Sequence, residues 1–259
     1  MSALRARCPD CRTLTAVAIG AEYQCHACGR EFAAGLLRVP RAWGDGGEAM
    51  AAAADMPLPW PEAAVVAEAS LEDQVAATGR ELPARPLVLG GCCCAHVGAV
   101  RELARRHGRI AVLWLDAHGD LNTTESSPSG NAWGMPLRML LDAGDVRAED
   151  VALVGARSLD APEEDYVALA GIAREWRGTA LPLYVAVDLD VLEPGELDVF
   201  MPEPAGMSLA ALEQLLSSLP AALGAGFTGL LASGRNAAAL GRLGQAVLAP
   251  ATGPQPVGV

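Results

Sequence analysis

Five side chains suited to metal chemistry sit in two short stretches. Asp116, His118 and Asp120 follow the apolar run IAVLWL, and Asp188 and Asp190 follow LYVAV. Within each stretch the polar residues alternate, and alternate residues of an extended segment point the same way. Gathering four carboxylates and an imidazole at two strand ends is costly unless a cation compensates them. Oxygen donors with a minority of nitrogen suit manganese or a related divalent ion. A bridging carboxylate lets such a set hold two ions about 3.5–4 Å apart, which brings the pKa of a shared water towards neutrality. A lone Asp after a strand is more often a turn or helix-capping residue. Two clusters with the same period are harder to explain that way.

The cysteines mark two further places. Cys8 and Cys11 (CPDC) and Cys25 and Cys28 (CHACG) form two C-x-x-C pairs with 13 residues between them. Four thiolates at this spacing suit one tetrahedral zinc ion. A unit of this size is too small to fold on its own core, so metal supplies its stability. Residues 1–35 therefore read as a zinc-ribbon module and residues 36–259 as the main domain. Cys92, Cys93 and Cys94 stand together in GGCCCAHVG. The chain opens without the apolar run of a secretion signal, so metal binding or catalysis is favoured over disulfides, with a cytoplasmic location.

The elements that must position these residues appear from residue 86 onward. Short apolar runs end in polar clusters: PLVLGG, RIAVLWLDAHGD, VALVGARSLD, LPLYVAVDLD and GFTGLLASG. Helical stretches lie between them: AHVGAVRELARRHG, GMPLRMLLDAG and SLAALEQLLSSL. This alternation predicts an α/β fold with a parallel sheet covered on both faces, whose ligands bind at the carboxyl ends of the strands. Between residue 36 and residue 82, RVPRAWGDGGE reads as loop, while EAMAAAADM and PEAAVVAEASLEDQVAAT read as helix from their Ala and Glu content.

Composition narrows the function further. Of the 259 residues, 51% are hydrophobic, which supports a sizeable core, and no apolar run reaches membrane-spanning length. The net charge of −12 argues against nucleic acid as a partner. Residues 1–35 carry four Arg against three acidic residues, too small a balance to change that. All 19 basic residues are Arg, which together with abundant Ala and Gly points to a GC-rich bacterial source.

Four segments, in order, carry a resemblance. GGCCCAHVG (90–98), DAHGDLNTTESSPSGNAWGMPL (116–137), VGARSLDAPEE (154–164) and DLDVLEPGELDVFMPEPAGMSLAAL (188–212) resemble the motifs of the ureohydrolases: arginase, agmatinase and formiminoglutamase. The resemblance spans about residues 86–245 and does not reach the ribbon. It implies a three-layer α/β/α fold and two manganese ions. It also implies a bridging hydroxide that attacks the carbon of a guanidinium or linear amidine, releasing urea or an analogue. By position, Asp116 and Asp188 bridge the metals, and His118 and Asp190 complete one ion. Asp120 binds the other and hydrogen-bonds the hydroxide. His118 and Asp120 are thus the catalytic candidates. Asn122, Ser129, Asn131 and Asp160 face the substrate. Family members are often oligomeric, which makes a homo-oligomer compatible with the resemblance.

The pattern is broken at four positions. Cys93 stands where the family has a histidine ligand, and Cys92 where it has Asp; a thiolate at position 93 shifts preference towards zinc, iron or cobalt. His96, three residues on, is a substitute ligand to consider. Trp133 replaces a proton-shuttling histidine and can only wall the pocket or stack on a cation. Ala232 aligns with a Glu that grips the guanidinium. The expected function is metal-dependent hydrolysis of C–N bonds in a small linear amidine or guanidino compound. The alternative is a non-catalytic metal-binding or regulatory protein on the same scaffold, with the ribbon as an interaction module.

Overall fold

The computed structural model describes residues 5–249. The chain begins with β1 (Arg5–Ala6), β2 (Ala16–Ile19), β3 (Glu22–Cys25) and β4 (Glu31–Phe32), an antiparallel sheet in sequential order. There follow β5 (Gly35–Val39), the short α1 (Glu48–Ala51), β6 (Glu62–Val65), α2 (Leu71–Glu81), β7 (Pro86–Gly90), α3 (Ala95–His107), β8 (Ala111–Leu115) and α4 (Pro136–Asp142). The chain ends with β9 (Val151–Val154), α5 (Ala161–Ala170), β10 (Leu183–Asp188), α6 (Leu209–Ser218), β11 (Ala222–Thr228) and α7 (Gly234–Leu248). Strands β5 to β11 form one seven-stranded sheet in the order β6-β5-β7-β11-β10-β8-β9, with every neighbouring pair parallel.

Apart from the edge strand β6, the strands are largely buried on both faces, as a parallel sheet between helices requires. Alternate residues feed two separate cores. Leu87, Leu89, Leu113, Val185, Val187 and Phe227 pack with Leu212 and Leu216 of α6 and Leu240 and Leu243 of α7. Val88, Val112, Trp114, Tyr184 and Ala186 pack with Val97, Val100 and Leu103 of α3, Leu137 and Leu140 of α4, and Val167 of α5. The result is the three-layer α/β/α architecture that the alternating pattern predicted. Serines start three of the helices: Ser70, Ser208 and Ser233 each accept the amide of the third residue on. Among the described residues no helix is long and apolar enough to cross a membrane.

Two expectations for residues 36–82 are corrected. Arg38 and Val39 belong to β5, not to a loop, and Glu62–Val65 is strand β6, not helix. Local propensity favoured helix for the Ala- and Glu-rich segment, but pairing with β5 and the chance to extend the sheet override it. Arg38 is buried yet satisfied: its guanidinium pairs with Glu62 at 2.7 Å and donates to the carbonyls of Ala54 and Met56.

The small sheet is joined to the large one. Arg7 and Glu62 exchange two backbone hydrogen bonds of 2.9 Å, so the small sheet pairs with the edge strand β6. Tyr23 of β3 lies over the start of β5, where a Cβ on Gly35 would stand 2.6 Å from its ring. Replacing Gly35 by Val should therefore destabilise the chain by about 1–3 kcal/mol through overpacking. Urea unfolding followed by circular dichroism reads this directly. An unchanged midpoint would show that the contact bears no load.

Candidate metal centre and pocket

The acidic residues converge at the carboxyl edge of the large sheet. Asp116 follows the last residue of β8, Asp188 ends β10, and Thr228 ends β11. Cys93 lies between β7 and α3. Strand β8 stops at Leu115, so Asp116, His118 and Asp120 are not on one extended segment, as their alternation had suggested. Asp120 has a left-handed backbone with φ of 54°, and Asp190 sits in a single 3-10 turn, Leu189–Val191. The side chains still meet, through turns instead of a strand.

Two triads share Asp116. Cys93, Asp116 and Asp188 form one, and Asp116, His118 and Asp190 the other, each with ligand atoms within 4.8 Å of one another. The Cys93 Sγ lies 3.1 Å from Asp188 Oδ2 and 3.5 Å from Asp116 Oδ2. His118 Nδ1 lies 3.0 Å from Asp190 Oδ2 and 3.5 Å from Asp116 Oδ1. Backbone amides fix the carboxylates: Ala117 donates to Asp190 Oδ1, His118 to Asp116 Oδ1 and Asp190 to Asp188 Oδ1. Gly229, with φ of 76°, packs so closely that a Cβ there would stand 2.0 Å from Asp188 Oδ1.

Asp120 is buried beside these groups, and its Oδ2 has no hydrogen-bond partner among the described residues. Burial and the neighbouring Asp116 and Asp188 charges push its carboxyl well above the usual range. Burial, with the Asp190 charge, raises Asp188 to about 7. Burial, with the Asp116 charge, raises Asp190 to about 6. Burial pulls the His118 imidazole down, but the Asp116 and Asp190 carboxylates outweigh it and hold it up at about 12. One imidazolium cannot neutralise four buried carboxylates. The donor set and the unpaired Asp120 oxygen fit divalent metal.

These residues floor a cavity of about 290 Å³. All five side chains expected to face a substrate line it: Asn122, Ser129, Asn131, Trp133 and Asp160. Asn122 donates to Asp160 Oδ2 at 2.9 Å and accepts from the Ser126 hydroxyl at 2.8 Å. Asn131 Oδ1 accepts the Asp45 amide at 3.0 Å, and Ser129 Oγ accepts the Asn131 amide at 3.2 Å. Trp133 stands edge-to-face with Phe200, ring centres 5.8 Å apart. His96 is in neither triad: it is buried, with Nδ1 3.0 Å from the Tyr184 hydroxyl and Nε2 3.4 Å from Thr228 Oγ1. Burial alone pushes its imidazole down to about 3. The segment after β11 contributes Gly229 to the cavity lining, and residues 229–233 (GLLAS) contain no carboxylate.

Several site residues escaped sequence reasoning. Glu163 lines the cavity, accepts the Leu121 amide at 2.9 Å, and closes a capping box with Asp160 at the start of α5. The D-x-x-E spacing could have revealed it. Glu203 Oε1 lies 3.7 Å from His118 Nε2, and Thr228 Oγ1 lies 3.2 Å from both Cys93 Sγ and Asp188 Oδ2. Met50 and Phe200 add apolar wall. No local signal marked these four.

The ribbon cysteines form a separate cluster, with Cys8, Cys11, Cys25 and Cys28 Sγ atoms all within 4.8 Å of one another. The Cys8–Cys28, Cys8–Cys11 and Cys11–Cys25 separations are 3.9, 3.6 and 3.4 Å. A tetrahedron with metal–sulfur bonds of about 2.3 Å has edges of about 3.8 Å. Arg12 and Gly29, each following the second cysteine of a pair, have φ of 59° and 74°, so the two turns have like geometry.

A seven-stranded parallel sheet between helices, with paired metal-binding triads at its carboxyl edge, defines the class as a three-layer α/β protein with a candidate binuclear centre. The chain belongs to the arginase family, whose family model matches residues 46–176. Arginase of Bacillus subtilis (strain 168) is 41% identical over 99 residues, 34% of this chain and 33% of that protein. N(omega)-hydroxy-L-arginine amidinohydrolase of Streptomyces lavendulae is 30% identical over 152 residues, 52% of this chain and 56% of that protein. The chain thus aligns with about a third of the length of the first of these relatives and about half of the second. The crystal structure of Bacillus subtilis arginase superposes with a TM-score of 0.69 at 21% identity, covering 83% of this chain and 97% of that one, and shows the same fold. Formimidoylglutamase of Bacillus subtilis superposes with a TM-score of 0.65 at 18% identity, covering 83% and 86%.

The electrostatics make a prediction for the metal-free protein. Asp120→Asn keeps the shape and removes a carboxyl crowded against two others, so it should stabilise the metal-free chain by about 1–3 kcal/mol. Thermal melts in chelator check this. A lower melting temperature for the variant would show that the crowding is not repulsive.

Proposed function

We propose that the chain is a metal-dependent hydrolase of C–N bonds in a small linear guanidino or amidino compound. The single observation that carries this reading is the pair of triads sharing Asp116, with the unpaired Asp120 oxygen beside them in the lining of one cavity. Cys93, Asp116, Asp120 and Asp188 would hold one divalent ion, and Asp116, His118, Asp188 and Asp190 the other. Manganese is the family's ion, with zinc, iron or cobalt as alternatives. When bound, the ions supply charge neutralisation, polarisation of the substrate and a water acidic enough to act as nucleophile near neutral pH.

The chain's own residues do the rest. The buried Asp120 Oδ2 is placed to accept a proton from the attacking water and return it to the leaving nitrogen. His118 is held through Nδ1, which leaves Nε2 to donate towards Glu203. Asp160 and Glu163 give the cavity a negative wall suited to a cationic substrate. Trp133 offers a π face to a planar cation, in place of a proton-transfer group. The four ribbon thiolates would take one zinc ion. All seven cysteines are free, which fits a reducing cytoplasmic setting. The partner is the small substrate, with a homo-oligomer compatible with the family.

A second reading, a non-catalytic protein on this scaffold, is favoured by Trp133 and by the missing carboxylate after β11. Turnover separates the two. Urea or ammonia release from a panel of linear guanidino and amidino compounds should require divalent metal. It should fall by at least about 10²-fold in Asp120→Ala, the usual scale for losing a group that acts in proton transfer. Release unaffected by that substitution would sink the hydrolase reading. A chain that binds zinc in the ribbon and no other metal would support the scaffold reading.

A further inference from the structure

The two triads that share Asp116 differ in donor chemistry. The His118 triad offers one nitrogen and carboxylate oxygens; the Cys93 triad offers one sulfur and carboxylate oxygens. We infer that the centre has two unlike metal positions, and that Cys93 makes its own position selective for a soft or borderline ion of the zinc, cobalt or iron class over manganese. This inference rests on the metallohydrolase reading and specifies which ions that site takes.

The contrast among the three adjacent cysteines supports a ligand role for one of them. Cys92 Sγ accepts the Trp43 amide at 3.4 Å and packs with Met50 and Ala42. Cys94 Sγ donates to the Ala132 carbonyl at 3.3 Å. Both have ordinary partners, and neither sulfur belongs to a triad with the acids. Cys93 Sγ instead faces Asp116 and Asp188, at 3.5 and 3.1 Å. A Cys93 thiol has one proton and can donate to only one of the two carboxylates at a time, whereas a shared cation satisfies all three groups. Asp120 gives an independent indication: it is buried, faces the same cavity, and leaves Oδ2 without a partner. Asp120 lies in neither triad but lines the same cavity, where it would add a third carboxylate to the sulfur and two carboxylates of the Cys93 triad.

The surroundings of the sulfur agree. Thr228 Oγ1 stands 3.2 Å from both Cys93 Sγ and Asp188 Oδ2. A neutral hydroxyl can donate a hydrogen bond to a metal-bound thiolate or carboxylate and so orient it. Sulfur favours soft and borderline ions, and manganese binds nitrogen, oxygen and sulfur sites most weakly of the first-row series. The His118 position, with its nitrogen and oxygen set, lacks the further bias that sulfur adds.

The test uses the full chain, stripped with chelator and given one equivalent of zinc, which fills the four-thiolate ribbon and is spectroscopically silent. Cobalt(II) chloride is then titrated in and the near-ultraviolet sulfur-to-cobalt charge-transfer absorption recorded. Cys93→Ser and Cys93→His, checked for native circular dichroism, give the baselines and subtract any cobalt held by the ribbon. The wild-type chain should show a band that both variants lack, with zinc displacing it and manganese(II) failing to. Cys93→His should shift the zinc-to-manganese preference by at least on the order of tenfold, the scale seen even for outer partners of metal ligands. Cobalt bound at the centre without a Cys93-dependent band would overturn the inference and leave the metal centre standing. So would displacement by manganese as readily as by zinc. No cobalt uptake beyond the ribbon would overturn the centre and the inference together.

Discussion

The constraint on which the rest of this structure depends is the confinement of Asp116, Asp120, Asp188 and Asp190 in one buried place. Buried carboxylates held close together repel one another, and a single imidazolium meets only part of that charge. Proteins do not gather such groups for stability, since apolar residues of the same volume would serve a core better. Their cost is tolerated where a cation is to be held. The parallel sheet makes the arrangement feasible: its carboxyl edge is where strand ends stop pairing and turn outward, so side chains from separate strands converge there without breaking the core.

Holding mutually repelling groups in place requires rigid backbone, and the fold supplies it from outside the centre. Arg157, just after β9, donates to the carbonyls of Gly155, Asp190, Val191, Glu203 and Pro204. One guanidinium thereby ties the segment that carries Asp190 to the one that carries Glu203. The chain leaving β5 makes a second tie. Trp43 donates its amide to Cys92 and accepts the Trp133 amide at 3.2 Å, and Asp45 donates to Asn131. Strand β5 and the segment after it therefore link the ribbon, at Tyr23 over Gly35, to the cavity-lining residues Cys92 and Trp133, which Trp43 holds.

The sequence made the sheet–helix alternation and the ligand set legible because both are local. Apolar runs buried on two faces read directly as parallel strands, and each acidic cluster lies within a few residues of a strand end. The geometric argument for Asp116, His118 and Asp120 was weaker than its conclusion: it assumed extended backbone, and the strand ends at Leu115. The side chains converge because Asp120 adopts a left-handed conformation, which an aspartate tolerates better than most residues. Strands β5 and β6 were illegible because their stability comes from non-local pairing, against the local preference of an Ala- and Glu-rich segment. Phe200 and Glu203 lie inside the 188–212 motif and Thr228 in the GFTGLLASG run, but nothing in those segments singles out these side chains as the ones that reach the site.

The substituted positions at this site bear on whether it is maintained or decaying. An indole at position 133 needs space, and it finds it over Gly44, where a Cβ would stand 2.5 Å from the ring. Phe200 then closes against its edge, and Asn131, two residues earlier, is pinned by the Asp45 amide next to that glycine. At position 93 the thiol meets a threonine hydroxyl sized and placed for it. Random loss of function would leave orphaned polar groups and voids around the changed residues. Here the changed residues have partners from other parts of the chain, and the unpartnered buried atom within the cavity lining belongs to Asp120, not to a changed residue. That distribution fits the proposed pocket, with the candidate metal-binding carboxylates kept, the wall fitted around a large aromatic, and a thiol at position 93.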